Sequence, residues 1–251
     1  MKTRSFSHVA PTAMNKIANY ARWTSAAAVF ALVAGCATGP NANPADPFEP
    51  FNRGVFTFND KLDQAVLVPV STVYVNVLPS MVRTGVNNFF GNLGDVWSFA
   101  NSVAQLKLQN SAETFMRINV NTFFGLGGLL DVATEAGIDR HDEDFGQTLG
   151  RWGVGAGPYI VLPVLGPSTL RDTVAKPVDF YGDPLNAMND VAWRNSLTVL
   201  RVVDTRSQYL RAGRLIDDAA LDKYSFTRDA FLQRRLSLIH DGKGPDEDAG
   251  K

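Results

Sequence analysis

The chain of 251 residues has a single cysteine, Cys36, and three histidines. One thiol cannot close an internal disulfide or complete a cysteine zinc framework, which leaves a buried thiol, a nucleophile or a site of covalent modification. HExxH, CxxC and GxSxG are all absent, so the spacings of common metallohydrolases, redox proteins and α/β hydrolases are missing. Nowhere does an uninterrupted apolar run reach the roughly 18 residues that a conventional membrane-spanning helix needs. A basic excess is missing too, with 24 basic against 25 acidic residues. Phosphate binding along a nucleic acid needs a basic footprint, so nucleic acid is not an expected partner. With 45% hydrophobic and 20% charged residues the chain can still bury a sizeable core, in one large or two small domains.

What is present begins at the N-terminus. Lys2, Arg4, Lys16 and Arg22 precede Cys36 with no acidic residue among them, and the apolar run Ala26 to Ala34 follows. These are the basic and apolar regions of an export signal, and the run is about half the length of a permanent span. The basic region is long, and Met14 offers an alternative start in MNKIANYARW. Val33, Ala34, Gly35 and Cys36 resemble a bacterial lipobox, in which small residues admit the signal peptidase and the thiol takes a diacylglyceryl group. Residues 1 to 35 are therefore expected to be removed, leaving Cys36 as the lipid anchor. The modification adds three acyl chains, each buried methylene contributing about 0.8 kcal/mol, so detachment is negligible. Ala37 rather than Asp follows the anchor, which by resemblance to enterobacterial sorting favours the outer membrane. Removing residues 1 to 35 takes four basic residues from the totals above and leaves a net charge of −5.

Residues 36 to 47 begin with the anchor and continue as ATGPNANPADP, the composition of an extended tether. Residues 241 to 251 read as a disordered acidic tail. No repeat and no second linker separates them, so residues 48 to 240 are expected to form one domain. Its pattern is predominantly helical. Val82, Val86, Phe89, Phe90 and Leu93 form one apolar stripe at helical spacing; Ala112, Phe115, Met116, Val120, Phe123 and Phe124 form another. Trp193, Leu197, Leu200 and Val203 mark a third helix. Leu221, Tyr224, Phe231, Leu232, Leu236 and Ile239 mark a fourth, with Asp217 and Asp218 expected near its start. YIVLPVL, 159 to 165, looks strand-like, but Pro163 points to an extended or irregular loop.

Charge is distributed unevenly. From Thr84 to Leu130 the only charged residues are Asp95, Lys107, Glu113 and Arg117, whereas the segment after Thr205 is dense in charge. A water-exposed helix face normally carries Lys and Glu. Here the faces opposite the apolar stripes carry Asn87, Asn88, Asn92, Ser98, Asn101, Thr114, Asn121 and Thr122. Such helices suit a place where one side meets lipid or a tight core and the other a polar, confined space. They could lie within one leaflet as a monotopic assembly. An ordinary soluble core with neutral polar faces fits the same pattern.

Motifs for enzyme chemistry are thin. GLGG (125 to 128) and GVGAGP (153 to 158) lack the βαβ setting and the GK[ST] of phosphate loops. Gly125, Gly127 and Gly128, with Gly153, Gly155 and Gly157, are better candidates for hinges or tight turns. Between and beside them Phe145, Trp152 and Tyr159 are candidates for a moving channel mouth, and Asn87, Asn88, Asn121 and Thr122 for a polar path. DRHDEDFGQ, 139 to 147, gathers carboxylates around His141, but consecutive loop charges usually face water, and no metal or cofactor is expected. Asn119, inside an apolar stripe, is expected as a satisfied core amide.

DPFEPFNRGVFTFNDKLD, NNFFGNLGDVW, RINVNTFFGLGGLLDVAT, DFGQTLGRWGVGAGPYIVLPVLGPSTLRD and DPLN, in this order, resemble the MlaA (VacJ) family of outer-membrane lipoproteins over about residues 46 to 240. The resemblance implies an all-α, single ring-like domain, monotopic in the outer membrane, with a central amphipathic channel, held beside a trimeric porin. It implies that mislocated phospholipids leave the outer leaflet and pass to a soluble periplasmic carrier, preserving lipid asymmetry. Ala175 stands where the family commonly has Gly, which questions close backbone packing there. Two rivals stay open at this point. One is a lipoprotein phospholipase, for which Ser168 beside a histidine is the only candidate nucleophile, and the other a structural lipoprotein that braces a porin.

Overall fold

The computed structural model describes Asn43 and residues 46 to 242. The expected signal, the Cys36 anchor, most of the tether and most of the acidic tail lie outside the described residues.

Helix α1, Glu49–Leu62, starts with Pro50 in its first turn, where the missing N–H costs nothing, and with Glu49 favourably placed at the positive end. One wide π turn, Asp63–Leu67, carries it into α2, Val68–Val77, which stops before Pro79. Two long helices follow, α3 (Ser80–Ala104) and α4 (Leu108–Phe123), packed along each other. The short α5, Val132–Glu135, is capped by Asp131, and α6, Phe145–Arg151, by Asp144. Strands β1 (Tyr159–Leu162) and β2 (Gly166–Thr169) precede α7, Leu170–Gly182, which Thr169 caps. A 3₁₀ turn, Pro184–Ala187, leads to α8, Val191–Gln208; α9, Leu210–Ala219, and α10, Lys223–Ile239, complete the order.

Three expectations need correction. The 159 to 165 segment is half of an antiparallel hairpin rather than an irregular loop. Pro163 lies in its turn, outside the ladder that pairs Tyr159 with Thr169 and Leu162 with Gly166, so its missing N–H breaks nothing. Asp217 and Asp218 sit at the end of α9 rather than near the start of the last helix, whose cap is Asp222. Lys223 pairs with Asp217 at 2.5 Å across that break. Asn119 is half-buried and donates to the Phe115 carbonyl of its own helix, so it is no core amide.

The helices are inverted relative to a water-soluble protein. Among the described residues, buried polar and charged side chains outnumber buried apolar ones by more than two to one. Helix α3 buries Asn92, Asp95, Ser98, Asn101 and Ser102, with Phe90 the one apolar member; α4 buries Ser111, Thr114, Arg117 and Asn121 and nothing apolar. Phe123 and Phe124, on the stripe that periodicity picked out, are 76% and 75% exposed. Faces of this kind match a hydrocarbon surrounding, in which every polar group has to be satisfied internally. No helix among the described residues is long and apolar enough to cross a membrane.

The contacts between elements close on themselves. From α1 they run through the π turn to α2, on to α8, α3, α6 and α10, and through the hairpin back to α1. One small apolar cluster, Tyr159, Val161 and Tyr224 with Val55, Phe56, Phe231 and Leu232 around it, fastens the hairpin between the first and last helices. Asn52 of α1 donates to the Tyr159 carbonyl at 3.0 Å and accepts from the Val161 amide at 2.9 Å, clamping β1 from both backbone directions. Ala175 is fully buried, so close packing survives the methyl group there.

Candidate functional site

Inside this circuit lies a cavity of about 720 Å³. Trp97 of α3, Lys176 and Asp179 of α7, Asp183, and Arg201 of α8 line it, with Asp144 at the cap of α6. Helix α7 comes this close to α3 because Gly182 faces Trp97; a Cβ there would run into the indole ring. A third cavity, about 290 Å³, shares Ser98, Glu143 and Asp144 with the first and opens beside Arg234 and Arg235 of α10.

The carboxylates around the large cavity are mostly committed. Asp183 accepts from Arg201 at 2.5 Å and caps the 3₁₀ turn through the Leu185 amide at 3.0 Å. Arg235 donates two parallel hydrogen bonds to Asp144, at 2.5 and 3.0 Å, and reaches Asp172 at 2.9 Å. Burial pushes the Asp144 carboxyl up, but the Arg235 guanidinium outweighs it and holds the group below its ordinary range. Glu143 accepts from Lys107 at 2.7 Å and from Gln105 at 2.8 Å. Asp179 makes no ion pair among the described residues: its Oδ1 accepts from the Trp97 indole at 2.9 Å and from the Phe145 amide at 2.7 Å, and burial raises its pKa against a smaller opposing pull from the Lys176 charge.

The DRHDEDFGQ loop proves to be a clasp rather than a set of charges facing water. Arg140 pairs with Asp95, His141 with Glu113, Glu143 with Lys107 and Asp144 with Arg235. No group of three or more His, Cys, Asp or Glu placed to hold a metal occurs among the described residues.

The glycine, aromatic and Asn/Thr residues proposed for a hinge, mouth or polar path fall elsewhere and none of them lines the large cavity, whereas Ser98 and, from the DRHDEDFGQ loop, Glu143 and Asp144 do. Asn121 is buried between the Asp131 carboxylate, 3.0 Å, and the Ala133 amide, 2.9 Å. Thr122 accepts from Asn92 at 3.2 Å, and Asn87 reaches Asp204 at 3.5 Å. Asn88 donates to the Leu129 carbonyl at 3.1 Å and lines a second cavity, about 560 Å³, between α3 and α5. Gly125, Gly127 and Gly128 make a packed turn. The Gly127 and Gly128 amides donate to the Thr122 and Asn121 carbonyls, and a Cβ on Gly128 would meet Asn92 at 2.7 Å. Gly153 and Gly155, by contrast, face open space. Gly157 lies against Leu170, and Tyr159 is buried in β1. Phe145 and Trp152 stack edge to face at 6.1 Å, and the Trp152 indole donates to the Ala104 carbonyl at the end of α3.

Sequence reasoning missed Trp97, Lys176, Asp179 and Arg201. The only local signal was the Lys and Asp three residues apart around Pro177, a pattern that ordinary surface helices share. Ser168, the candidate nucleophile, is buried, with its hydroxyl against Thr173 Oγ1 at 2.9 Å and the Thr169 carbonyl at 3.3 Å. Neither partner is a base, so nothing activates it.

A protein of Rickettsia bellii is 33% identical over 195 residues, covering 77% of this chain and 76% of its own. The intermembrane phospholipid transport system lipoprotein MlaA of Escherichia coli K12 is 33% identical over 220 residues, with 84% and 86% of the two chains covered. A solved structure, described as the structural basis for maintenance of bacterial outer membrane lipid asymmetry, superposes with a TM-score of 0.68 at 34% identity. It covers 77% of this chain and 98% of that one. The MlaA lipoprotein family profile matches residues 44–237, and the chain therefore belongs to the MlaA lipoprotein family.

Proposed function

We propose that this protein removes phospholipids mislocated in the outer leaflet of the outer membrane and passes them through its polar interior toward the periplasm, maintaining lipid asymmetry. The observation that carries the reading is the inversion of the fold: apolar helix faces outside, buried polar side chains between the helices, and a cavity of about 720 Å³ whose wall mixes apolar and charged side chains. A headgroup leaving a leaflet through bare hydrocarbon would lose its hydrogen bonds at a cost of several kcal/mol. A cavity whose wall offers charged and amide groups beside Trp97, Leu165 and Phe180 accommodates both halves of a lipid. Cys36 supplies the permanent anchor on the periplasmic face. A trimeric porin holds the ring in place, and a soluble periplasmic phospholipid-binding protein accepts the cargo. In the Gly153 to Gly157 loop a side chain at Gly153 or Gly155 would meet no neighbour, although the Val154 and Ala156 carbonyls accept hydrogen bonds from Arg171.

The protein acts by passage rather than by bond cleavage. Deleting its gene should raise outer-leaflet phospholipid, and expression of the intact chain should restore the normal content without release of fatty acid from labelled vesicles. Unchanged outer-leaflet phospholipid on deletion would overturn the reading in favour of a structural lipoprotein; fatty-acid release by the purified chain would replace it with a phospholipase.

A further inference from the structure

Lys176 is the one cation lining the large cavity that is not already spent. Arg201 is held by Asp183, whereas Lys176 makes no ion pair or hydrogen bond among the described residues. Three residues on, Asp179 is the carboxylate of the lining that makes no ion pair among the described residues, the Lys176 charge acting on it without an ion pair between them. Its Oδ1 is taken by two neutral donors, and its Oδ2 makes no hydrogen bond among the described residues. Residues three apart on a helix place their Cβ atoms about 5–6 Å from one another. The wall thus presents a positive and a negative group that feel each other's charge without forming an ion pair, in a cavity whose other acidic groups are ion-paired. We propose that Lys176 and Asp179 form a seat for a zwitterionic phospholipid headgroup, with the phosphate on the Lys176 ammonium and the headgroup ammonium on Asp179 Oδ2.

The chemistry favours this occupant over an anionic one. An ethanolamine headgroup carries its phosphate and ammonium on either side of an ethylene spacer, so it can lie along α7 and answer both charges. A glycerol headgroup answers only Lys176 and leaves Asp179 facing a second negative charge at close range, which is repulsive in a partly desolvated site. Trp97 holds the Asp179 carboxylate in position through its indole N–H and offers an apolar wall to the glycerol and acyl portions. Committed ion pairs elsewhere in the lining would have to break before they could compete for the headgroup, whereas Lys176 and Asp179 need break nothing.

The seat rests on the phospholipid-passage reading, and the test separates the two. The full lipid-anchored chain, purified in mild detergent, is incubated with vesicles of equal phosphatidylethanolamine and phosphatidylglycerol. Bound lipid is then extracted and quantified by mass spectrometry. Total bound lipid reports on passage; the ratio of the two headgroups reports on the seat. The native chain should retain phosphatidylethanolamine over phosphatidylglycerol by about tenfold, the change that a single interaction worth about 1.4 kcal/mol produces. Asp179→Asn should erase that preference with total lipid kept. Lys176→Gln should lower both lipids about tenfold, while Lys176→Arg restores them, which a mere folding defect in Lys176→Gln would not allow. Lipid bound in equal amounts by the native chain and Lys176→Gln, or without headgroup preference in the native chain, overturns the seat and leaves passage standing. Absence of any bound lipid overturns both. Retention of inorganic phosphate at Lys176 without lipid would make the site an ion site only and overturn the proposal.

Discussion

Arg117 of α4 places one terminal guanidinium nitrogen 2.8 and 2.9 Å from the two carboxylate oxygens of Asp131. Its other terminal nitrogen donates to Thr134 Oγ1 at 3.0 Å and to the Ile138 carbonyl at 2.5 Å, and its Nε lies 3.7 Å from Asp95. Arg117 is wholly buried, so a single side chain fastens the segment after α4 back onto the α3/α4 pair. Replacing it with Met leaves Asp131 without its cation and Asp95 with Arg140 alone. Arg117→Met should lower stability by about 3–5 kcal/mol, measured by denaturant unfolding in detergent. Adding Asp95→Asn and Asp131→Asn to the same chain should recover part of the loss. A loss below about 1 kcal/mol would show that the guanidinium is not the fastening.

Acid should weaken the same joint. Burial pushes the Asp131 carboxyl up, but hydrogen bonds from Thr134, Asn121 and Arg117 prevail and hold it at about 2. A carboxyl depressed in the folded state stabilises above its unfolded pKa, near ~3.9, and loses that contribution as pH falls toward the folded value. Stability should therefore drop between about pH 4 and pH 2, and Asp131→Asn should flatten that part of the profile. Asp95 works in the opposite sense, since burial, its largest influence, raises its carboxyl above the ordinary value. An unaltered profile in Asp131→Asn would remove Asp131 from the account.

The two glycine clusters should respond differently to substitution. Gly128 has φ of +93° and would drive a Cβ to 2.7 Å from Asn92, so Gly128→Ala should cost about 1–3 kcal/mol. Gly155 meets nothing within 4 Å, and Gly155→Ala should stay within about 0.5 kcal/mol of the native chain. Thermal unfolding of both variants distinguishes a fixed turn at 125 to 128 from an open loop at 153 to 157. Equal losses would contradict that difference.

Lipid-borne photolabels should mark the outward faces of α3 and α4. Phe115, Met116, Phe123 and Phe124 are all exposed there, and labelling between Thr84 and Leu130 should exceed labelling after Thr205. Equal labelling of the two segments would argue against immersion of the α3/α4 pair.

Cys36→Ser should leave an uncleaved precursor in the inner membrane and abolish function, because no thioether can form. Fractionation with immunodetection checks this. A processed and functional Cys36→Ser protein at the outer membrane would dispose of the lipid anchor.

Much of the fold was legible because amphipathic periodicity survives whatever solvent the helix meets. Val82 to Leu93 sit inside α3, Ala112 to Phe123 inside α4 with Phe124 at its C-cap, and Trp193 to Val203 inside α8. Two local signals conflict in YIVLPVL: the apolar run points to a strand and Pro163 argues against a central one, and the chain resolves the conflict by turning at Pro163. The break at Ala220 carries neither Gly nor Pro to mark it, so local sequence does not separate Asp217 and Asp218 at the end of α9 from the start of α10.

The sequence by itself determined the family, the predominance of helix, and the scarcity of charge from Thr84 to Leu130. Each is written in residue identity or spacing. Only the tertiary structure decided which way the stripes face. Periodicity locates an apolar face on a helix but is blind to whether a protein core or a lipid leaflet receives it. Asp95, Lys107 and Arg117 are buried, and Phe123 and Phe124 are outside, because the polar faces pair with one another across long sequence separations. Tertiary structure also decided the cavity. Trp97, Lys176 and Arg201 come from three helices far apart in the chain, and no local pattern records that they share one wall.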